Sequence, residues 1–138
     1  MSIPRLWAFV LDTTDARRAA EFYRHLLNLK YRPGDEPPPP GTDDEKGRVW
    51  LQLVGGDGAW NLSFQQTAVV KPTTWPDAEV PQQMHLDTAV DSLEELDRQH
   101  ERVLSLGGVV RFDRRDDPEE PLLVFADPDG HTFCIFVQ

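Results

Sequence analysis

Cysteine is nearly absent from this sequence, with Cys134 as the single thiol among 138 residues. One thiol cannot form a disulfide within the chain or build a zinc site from several cysteines, so both kinds of cross-link are excluded. Long apolar runs are also missing, and the first residues lack the apolar core of a signal peptide. We therefore expect a cytoplasmic protein with no membrane partner.

Basic residues are scarce relative to acidic ones. The chain has 14 Lys and Arg against 24 Asp and Glu, a formal net charge of −10. A negative field of this size repels phosphate backbones, so we expect no nucleic-acid partner. Hydrophobic residues make up 39% and charged residues 28% of the chain. This balance is typical of a folded globular protein.

The first half of the chain reads as a strand, a helix and further strands. Residues 6–12 have the pattern of a strand, and the apolar spacing from Ala16 onward predicts an amphipathic helix of about three turns. The proline-rich, acidic stretch 34–47 predicts an exposed loop that does not pack into a core. Strands at 48–54 and 59–66 then flank a glycine-rich turn.

The second half repeats this order. Residues 83–90 have the pattern of a strand, and Asp91 or Ser92 is positioned to cap a helix that ends at the glycine pair 107–108. Three strands are predicted to follow, at 109–113, 122–127 and 131–137. The order β-α-β-β-β thus occurs twice. We predict one domain made of module 1 (about 5–66), a linker (67–81) and module 2 (about 82–138).

Alternation along the strands predicts one apolar and one mixed face for each sheet, because residues i and i+2 share a face. The predicted ligand-binding residues on the mixed faces are Trp50, Gln52, Asn61, Ser63, His85, Asp87, Cys134 and Phe136. A mixed, concave face is what a small-molecule pocket requires, whereas a solvent-exposed face is the other interpretation of the same pattern. Its recurrence in several strands favours the pocket. Trp50, with Trp75 of the linker, would suit stacking on a planar ligand, although Trp75 would also suit a dimer contact.

Two side-chain pairs have alternative interpretations. His85 and Asp87 share a strand face, so the carboxylate would suit orienting the imidazole as a base. We favour the simpler interpretation, in which His85 is a wall of the pocket and Asp87 pairs elsewhere. Cys134 with His85 would suit a nucleophile pair, but a lone cysteine in an apolar strand is more typical of a small packed side chain. No catalytic residue is assigned.

Several segments resemble the vicinal oxygen chelate superfamily, which includes glyoxalase I, bleomycin-resistance proteins and extradiol dioxygenases. The matching segments are Phe-Val-Leu-Asp-Thr-Thr-Asp at 9–15, Ala-Glu-Phe-Tyr-Arg-His-Leu-Leu-Asn-Leu at 20–29, His-Leu-Asp-Thr-Ala-Val-Asp at 85–91, Leu-Ser-Leu-Gly-Gly at 104–108 and Phe-Ala-Asp-Pro-Asp-Gly-His-Thr-Phe at 125–133. The combination looks most like actinobacterial glyoxalase-like proteins. The resemblance implies an α+β fold of two βαβββ modules that form an eight-stranded open cup with helices outside, and it allows for a homodimer.

Metal-dependent members of that superfamily bind a divalent ion through two inward side chains from each module. The resemblance places these four positions at Ala8, Asn61, His85 and Cys134. Only His85 is a usual ligand for its position, and the carboxylate that would serve a glyoxalase as base and ligand is missing. We therefore expect no catalytic metal. If a divalent ion does bind, its ligands are His85, Cys134 and Asn61.

The sequence thus predicts a protein that binds a small, planar or aromatic molecule in the cup without a catalytic metal. One alternative is a metal-dependent lyase or dioxygenase of the same superfamily that uses His85. A third hypothesis is a regulatory or scaffold domain whose concave face binds a protein segment. Neither the ligand nor a reaction can be named from the residues alone.

Overall fold

The computed structural model describes residues 2–138 and divides the chain into two compact units, residues 1–70 and 71–138. In the first unit the elements are β1 (Ala8–Thr13), α1 (Ala16–Leu27), β2 (Lys30–Tyr31), β3 (Trp50–Val54) and β4 (Asn61–Gln66), with a 3₁₀ turn at Lys46–Arg48. In the second unit they are β5 (Leu86–Val90), α2 (Leu93–Leu106), β6 (Val109–Arg114), β7 (Leu122–Ala126) and β8 (Thr132–Val137). The predicted α+β fold of two βαβββ modules is confirmed.

Each unit contains one open four-stranded sheet, and the two sheets share a topology. The strand orders are β1-β4-β3-β2 and β5-β8-β7-β6. The first and last strands of each module pair in parallel at the β1–β4 and β5–β8 contacts, and the other neighbours are antiparallel. The parallel pairing is possible because a helix crosses between the two strands. None of the helices in residues 2–138 is long and apolar enough to span a membrane.

Each helix covers one face of its own sheet. In the first unit Tyr23 of α1 stacks on Phe64 of β4, with 5.7 Å between ring centroids. In the second unit Phe125 and Phe133 stack at 5.4 Å, and His100 of α2 lies against Phe125. The fully buried rings and the leucines beside them form the two cores, as the apolar periodicity predicts.

Side chains at the helix starts cap both helices. The carboxylate of Asp15 accepts a hydrogen bond from the backbone N–H of Arg18, and Ser92 Oγ accepts one from Glu95 N at 3.1 Å. These bonds satisfy N–H groups that have no partner within the helix. At the other end of α2, Gly107 adopts the left-handed conformation at φ 102°.

The stretch 34–47 is a mostly exposed loop, as predicted, but one buried carboxylate attaches it to the rest of the unit. The carboxylate of Asp35 is 1% exposed, accepts a hydrogen bond from Gln52 N at 2.9 Å and lies 2.9 Å from the Arg32 guanidinium. Arg17 of α1 binds both the Asp35 carbonyl and the carboxylate of Asp44. An ion pair with Arg17 of α1 and a hydrogen bond from Gln52 N of β3 hold the loop in place. The strand β2 was also not assigned from the sequence, because two residues are too few to show alternation.

Between β4 and β5 the chain forms an ordered connection without helix or strand. Within it, Thr73 Oγ1 and Thr74 N donate hydrogen bonds to Val80 O at 2.6 and 2.9 Å, closing a loop around Trp75. Earlier in the same connection, Pro72 packs on Gly130. A Cβ atom on Gly130 would lie 2.2 Å from Pro72 Cβ, and the φ of +90° at Gly130 also favours glycine. This contact attaches the connection to the turn before β8.

Candidate functional site

A cleft of about 340 Å³ lies on the face of the second sheet that is opposite α2. Strand pairing places Asp87, Cys134, Val124 and Phe112 in one row across β5, β8, β7 and β6. Phe136 and Leu122 lie in the next row. Because strand residues alternate between faces, the neighbours of these residues form the core beneath α2 instead.

The apolar part of the cleft is made mainly of aromatic rings. Its members are Trp75, Phe112, Leu122, Val124 and Phe136. The Trp75 ring meets Phe112 edge to face, with 5.8 Å between ring centroids and 78° between ring planes. Such an arrangement leaves ring faces that can stack on a planar molecule.

A bulge in β6 connects this aromatic wall to the preceding loop. Val110 pairs with Phe125, but Phe112 pairs with Val124, so Arg111 is an extra residue in the strand. The bulge turns Phe112 to the face opposite Val110, whereas a regular strand would put both on one face. The Arg111 guanidinium donates a hydrogen bond from Nε to Trp75 O at 3.2 Å. The same residue therefore helps to place both Phe112 and Trp75.

The polar part of the cleft contains an imidazole next to a carboxylate. His85 Nε2 lies 3.2 Å from Asp87 Oδ1. The interpretation in which Asp87 pairs elsewhere is therefore wrong, because Asp87 contacts His85 itself. Both side chains are exposed enough to meet a ligand. Beside them, Thr132 Oγ1 donates to Gln82 Oε1 at 2.6 Å, which holds the Gln82 amide at the cleft wall.

The opposite end of the cleft carries an ion-pair cluster. Arg114 lies 2.9 Å from Asp117 and 3.4 Å from Glu120, and both Arg114 and Glu120 line the cleft. The pKa of Asp117 is lowered, first by the hydrogen bond from the backbone N–H of Glu119 and also by Arg114. The positive charge of Arg114 is thus already shared between two carboxylates.

The thiol of Cys134 forms the floor of the cleft. Burial raises its pKa to about 11, and the negative charges of Asp87 and Glu120 add to the increase. At neutral pH the thiol is therefore protonated when no metal is bound, and a protonated thiol is a poor nucleophile. This argues for the packed-residue interpretation of Cys134.

The structure separates the predicted site residues into two groups. His85, Asp87, Cys134 and Phe136 line the cleft together. The other four, Trp50, Gln52, Asn61 and Ser63, lie in the first unit on the β3–β4 face opposite α1 and do not line it. Their part in ligand binding stays a prediction.

Three of those first-unit residues are nevertheless buried and not solvent-facing. Gln52, Asn61 and Ser63 are between 0% and 7% exposed, and Gln52 pairs with Ser63 across the sheet. Ser63 Oγ has no hydrogen-bond partner among residues 2–138. The polar residues of this face therefore do not make an ordinary hydrated outer surface.

Comparison with known proteins identifies the family. The family model described as glyoxalase-like domain matches residues 8–136, nearly the whole chain. The chain belongs to the glyoxalase-like domain family. This places it in the vicinal oxygen chelate superfamily, as the resemblance implied. A search of curated proteins found no match.

Solved structures of similar length share the fold of this glyoxalase-like protein. A glyoxalase/bleomycin resistance protein/dioxygenase family enzyme from Burkholderia phytofirmans has a TM-score of 0.67 at 14% identity, covering 97% of this chain and 98% of that one. A hypothetical protein from S. aureus gives 0.66 at 20%, covering 99% and 98%. The fosfomycin resistance protein FosX from Listeria monocytogenes gives 0.67 at 18%, covering 99% and 95%. At these identities the likeness shows the fold alone.

The residues at the superfamily's metal-ligand positions do not make a suitable donor set. Ala8 has no donor atom, and Asn61 Nδ2 is bonded to Trp7 O at 2.9 Å. In the second unit strand register puts Asp87, not His85, opposite Cys134. In the part of the chain that the structure describes, no three His, Cys, Asp or Glu side chains are grouped to hold a metal ion. The chemistry of these side chains thus disagrees with a chelating role.

Sequence reasoning missed several residues of the cleft. Phe112 reaches the cleft face through the bulge at Arg111, which no sequence pattern marks, and Arg114 lies just beyond the strand predicted at 109–113. Trp75 was singled out as a stacking residue in the linker, and its flanking prolines were the available signal. Its position beside Phe112 depends on hydrogen bonds that join distant parts of the chain.

Proposed function

We propose that this glyoxalase-like protein binds a small planar, aromatic molecule in the cleft of its second unit, without a catalytic metal. The observation that carries the proposal is the grouping of Trp75, Phe112 and Phe136 with the His85–Asp87 pair in one cleft. The volume of about 340 Å³ falls at the small end of the range typical of ligand pockets. An apolar lining with a few polar groups is the usual composition of such sites.

Stacking supplies the affinity in this proposal, and the polar groups supply orientation. Aromatic pairs contribute about 0.5–1.5 kcal/mol beyond the area that they bury. The His85 imidazole and the Gln82 amide are placed to exchange hydrogen bonds with ring substituents. Because the cleft is open, the ligand exchanges with solvent without unfolding of the wall. We also propose that the chain is similar to actinobacterial glyoxalase-like proteins and that the protein is cytoplasmic.

The test is a thermal-shift screen of one- and two-ring aromatic compounds, followed by titration of the compounds that stabilise the protein. Replacing Trp75→Ala should weaken their binding about 3- to 10-fold, as expected for one lost stacking contact. Trp7→Ala is the matched control, because Trp7 is an exposed tryptophan that does not line the cleft. A screen with no stabilising compound, or equal losses in the two variants, would contradict the proposal.

Elemental analysis of the untagged protein, before and after dialysis against a chelator, tests the metal-free part. We expect far less than one transition-metal ion per chain and an unchanged melting temperature after dialysis. One tightly held ion per chain that His85→Ala releases would instead support the metal-dependent alternative.

A further inference from the structure

The charges around the cleft are unbalanced. Asp87 and Glu120 line it, and the cation among its lining residues is Arg114, which also contacts Asp117. With histidine counted as neutral, two carboxylates and one guanidinium line the cleft, so the net charge of its lining is 1 − 2 = −1, and Asp117 beside Arg114 adds a further carboxylate outside the lining. The contact of Asp87 is with the His85 imidazole and not with a lysine or arginine. The negative charge of Asp87 is therefore available to a bound molecule.

The pKa of the Cys134 thiol, on the floor of the cleft, is affected by these charges. After burial, Asp87 and Glu120 are the main causes that raise its pKa, and Arg114 opposes them with a smaller effect. The two carboxylates belong to different segments, Asp87 to β5 and Glu120 to the turn before β7. The two carboxylates therefore border the cleft from separate segments.

Aromatic rings border the same space. Trp75, Phe112 and Phe136 present ring surfaces to the cleft, and a cation within about 6 Å of a ring centroid is attracted to the ring face. A positive charge that loses part of its hydration in the cleft is stabilised by a neighbouring group of opposite charge, and the carboxylates supply it. A ligand with a negative charge would meet two carboxylates and a guanidinium that is already paired. The cleft thus combines the two features that stabilise an aromatic cation.

We propose that the ligand class of this cleft is a planar aromatic cation, such as a protonated or quaternised heteroaromatic amine. This inference rests on the proposed function and adds the sign of the ligand's charge. In the bound state the ring stacks on the Trp75–Phe112 wall, and its positive charge lies toward Asp87 or Glu120. Neutral rings of the same shape retain the stacking but lose the charge interaction.

Three two-ring probes of similar shape and different charge test the ligand class: N-methylquinolinium (cation), 1-naphthalenemethanol (neutral) and 1-naphthoate (anion). Tryptophan fluorescence and line broadening in NMR spectra of the probes report binding. We expect the cation to bind at least about 10-fold more tightly than the neutral probe, and the anion to bind most weakly. Added salt should reduce the advantage of the cation, because the carboxylates are exposed enough to be screened.

Charge-removing variants locate the effect. Asp87→Asn and Glu120→Gln should each weaken N-methylquinolinium binding about 3- to 10-fold, and each should weaken it more than it weakens binding of the neutral probe. Glu119→Gln is the matched control, since Glu119 is exposed next to Glu120 but does not line the cleft. Circular dichroism checks that each variant is folded, and the two variants test the proposal independently of each other.

The outcomes separate this inference from the proposed function. Equal binding of cation and neutral probe, or an unchanged cation affinity in both variants, would overturn the charge preference and leave the aromatic site in place. Binding of none of the three probes would overturn the inference, and together with an empty thermal-shift screen it would overturn the proposed function as well. Preference for 1-naphthoate would assign the cleft to anions, contrary to the inference.

Discussion

The Cys134 thiol is surrounded by groups that keep it neutral. It is 7% exposed, its cross-strand neighbours are Asp87 and Val124, and its pKa is raised to about 11. A shift from 9.0 to about 11 lowers the thiolate fraction about 100-fold at any pH well below 9. This residue therefore contributes packing volume and little reactivity at neutral pH.

Alkylation by iodoacetamide tests the state of this thiol. Because reaction requires the thiolate, the rate in the folded protein should rise with pH to a midpoint near 11, against about 9 after unfolding in concentrated urea. Steric shielding alone would slow the reaction at every pH without moving the midpoint. A folded-state midpoint near 9 would therefore contradict the shift.

Among the elements, β6 shapes one wall of the cleft through its bulge. Its bulge at Arg111 moves Phe112 onto the cleft face. The Arg111 side chain also donates a hydrogen bond to the carbonyl of Trp75. The loop around Trp75 is further closed by hydrogen bonds from Thr73 and Thr74 to Val80. One strand and one loop thus depend on each other for the aromatic wall.

Arg111→Met removes the donor to Trp75 O and keeps most of the apolar stem. We expect a loss of about 1 kcal/mol, the net value of one hydrogen bond, and easier quenching of Trp75 fluorescence by acrylamide. Subtracting the signal of a Trp75→Phe variant isolates the Trp75 emission. Arg98→Met is the control, since Arg98 is an exposed residue of α2 whose partners are Glu94 and Glu95. Equal quenching in the two arginine variants would show that Arg111 does not hold the loop.

For the whole molecule, the excess of acidic residues sets the response to pH. The net charge is −10 at pH 7, and many of the carboxylates contact arginines. The pKa of Asp44 is lowered by the hydrogen bond from Arg17, that of Glu21 by Arg24, and that of Asp113 by Arg115. A carboxyl group whose pKa is lower in the folded state stabilises the fold above its unfolded pKa and loses this contribution as pH falls.

The melting temperature should therefore fall as pH drops from about 4.5 through 3, because the unfolded values are 4.5 for Glu21 and 3.8 for the aspartates. These pairs are partly exposed, so the total effect is about 1–3 kcal/mol after screening. Thermal unfolding across this pH range measures the effect. Asp44→Asn should make the melting temperature less dependent on pH, because the variant lacks the contribution of the Arg17–Asp44 pair. A melting temperature that stays constant from pH 5 to 3 would contradict this account.

Local patterns in the chain were enough to predict the two modules and their order. Helix periodicity, the cap at Ser92 and strand alternation depend on neighbours a few residues apart, and the structure confirms them. The same alternation brought His85, Asp87, Cys134 and Phe136 to one face of the second sheet. These features follow from the chemistry of short segments, which the fold does not alter.

Other features depend on contacts between residues far apart in the chain. The buried Asp35 carboxylate is bonded to Gln52 N of β3, 17 residues away, and the Trp75 carbonyl is bonded to Arg111, 36 residues away. The bulge that exposes Phe112 to the cleft arises from the pairing of β6 with β7. Composition and periodicity carry no signal for such contacts, because each depends on where another segment lies in space. The sequence by itself therefore determines the net charge and the alternation of side chains along each strand. The shape of the cleft and the set of residues that line it are determined by the packing of distant segments.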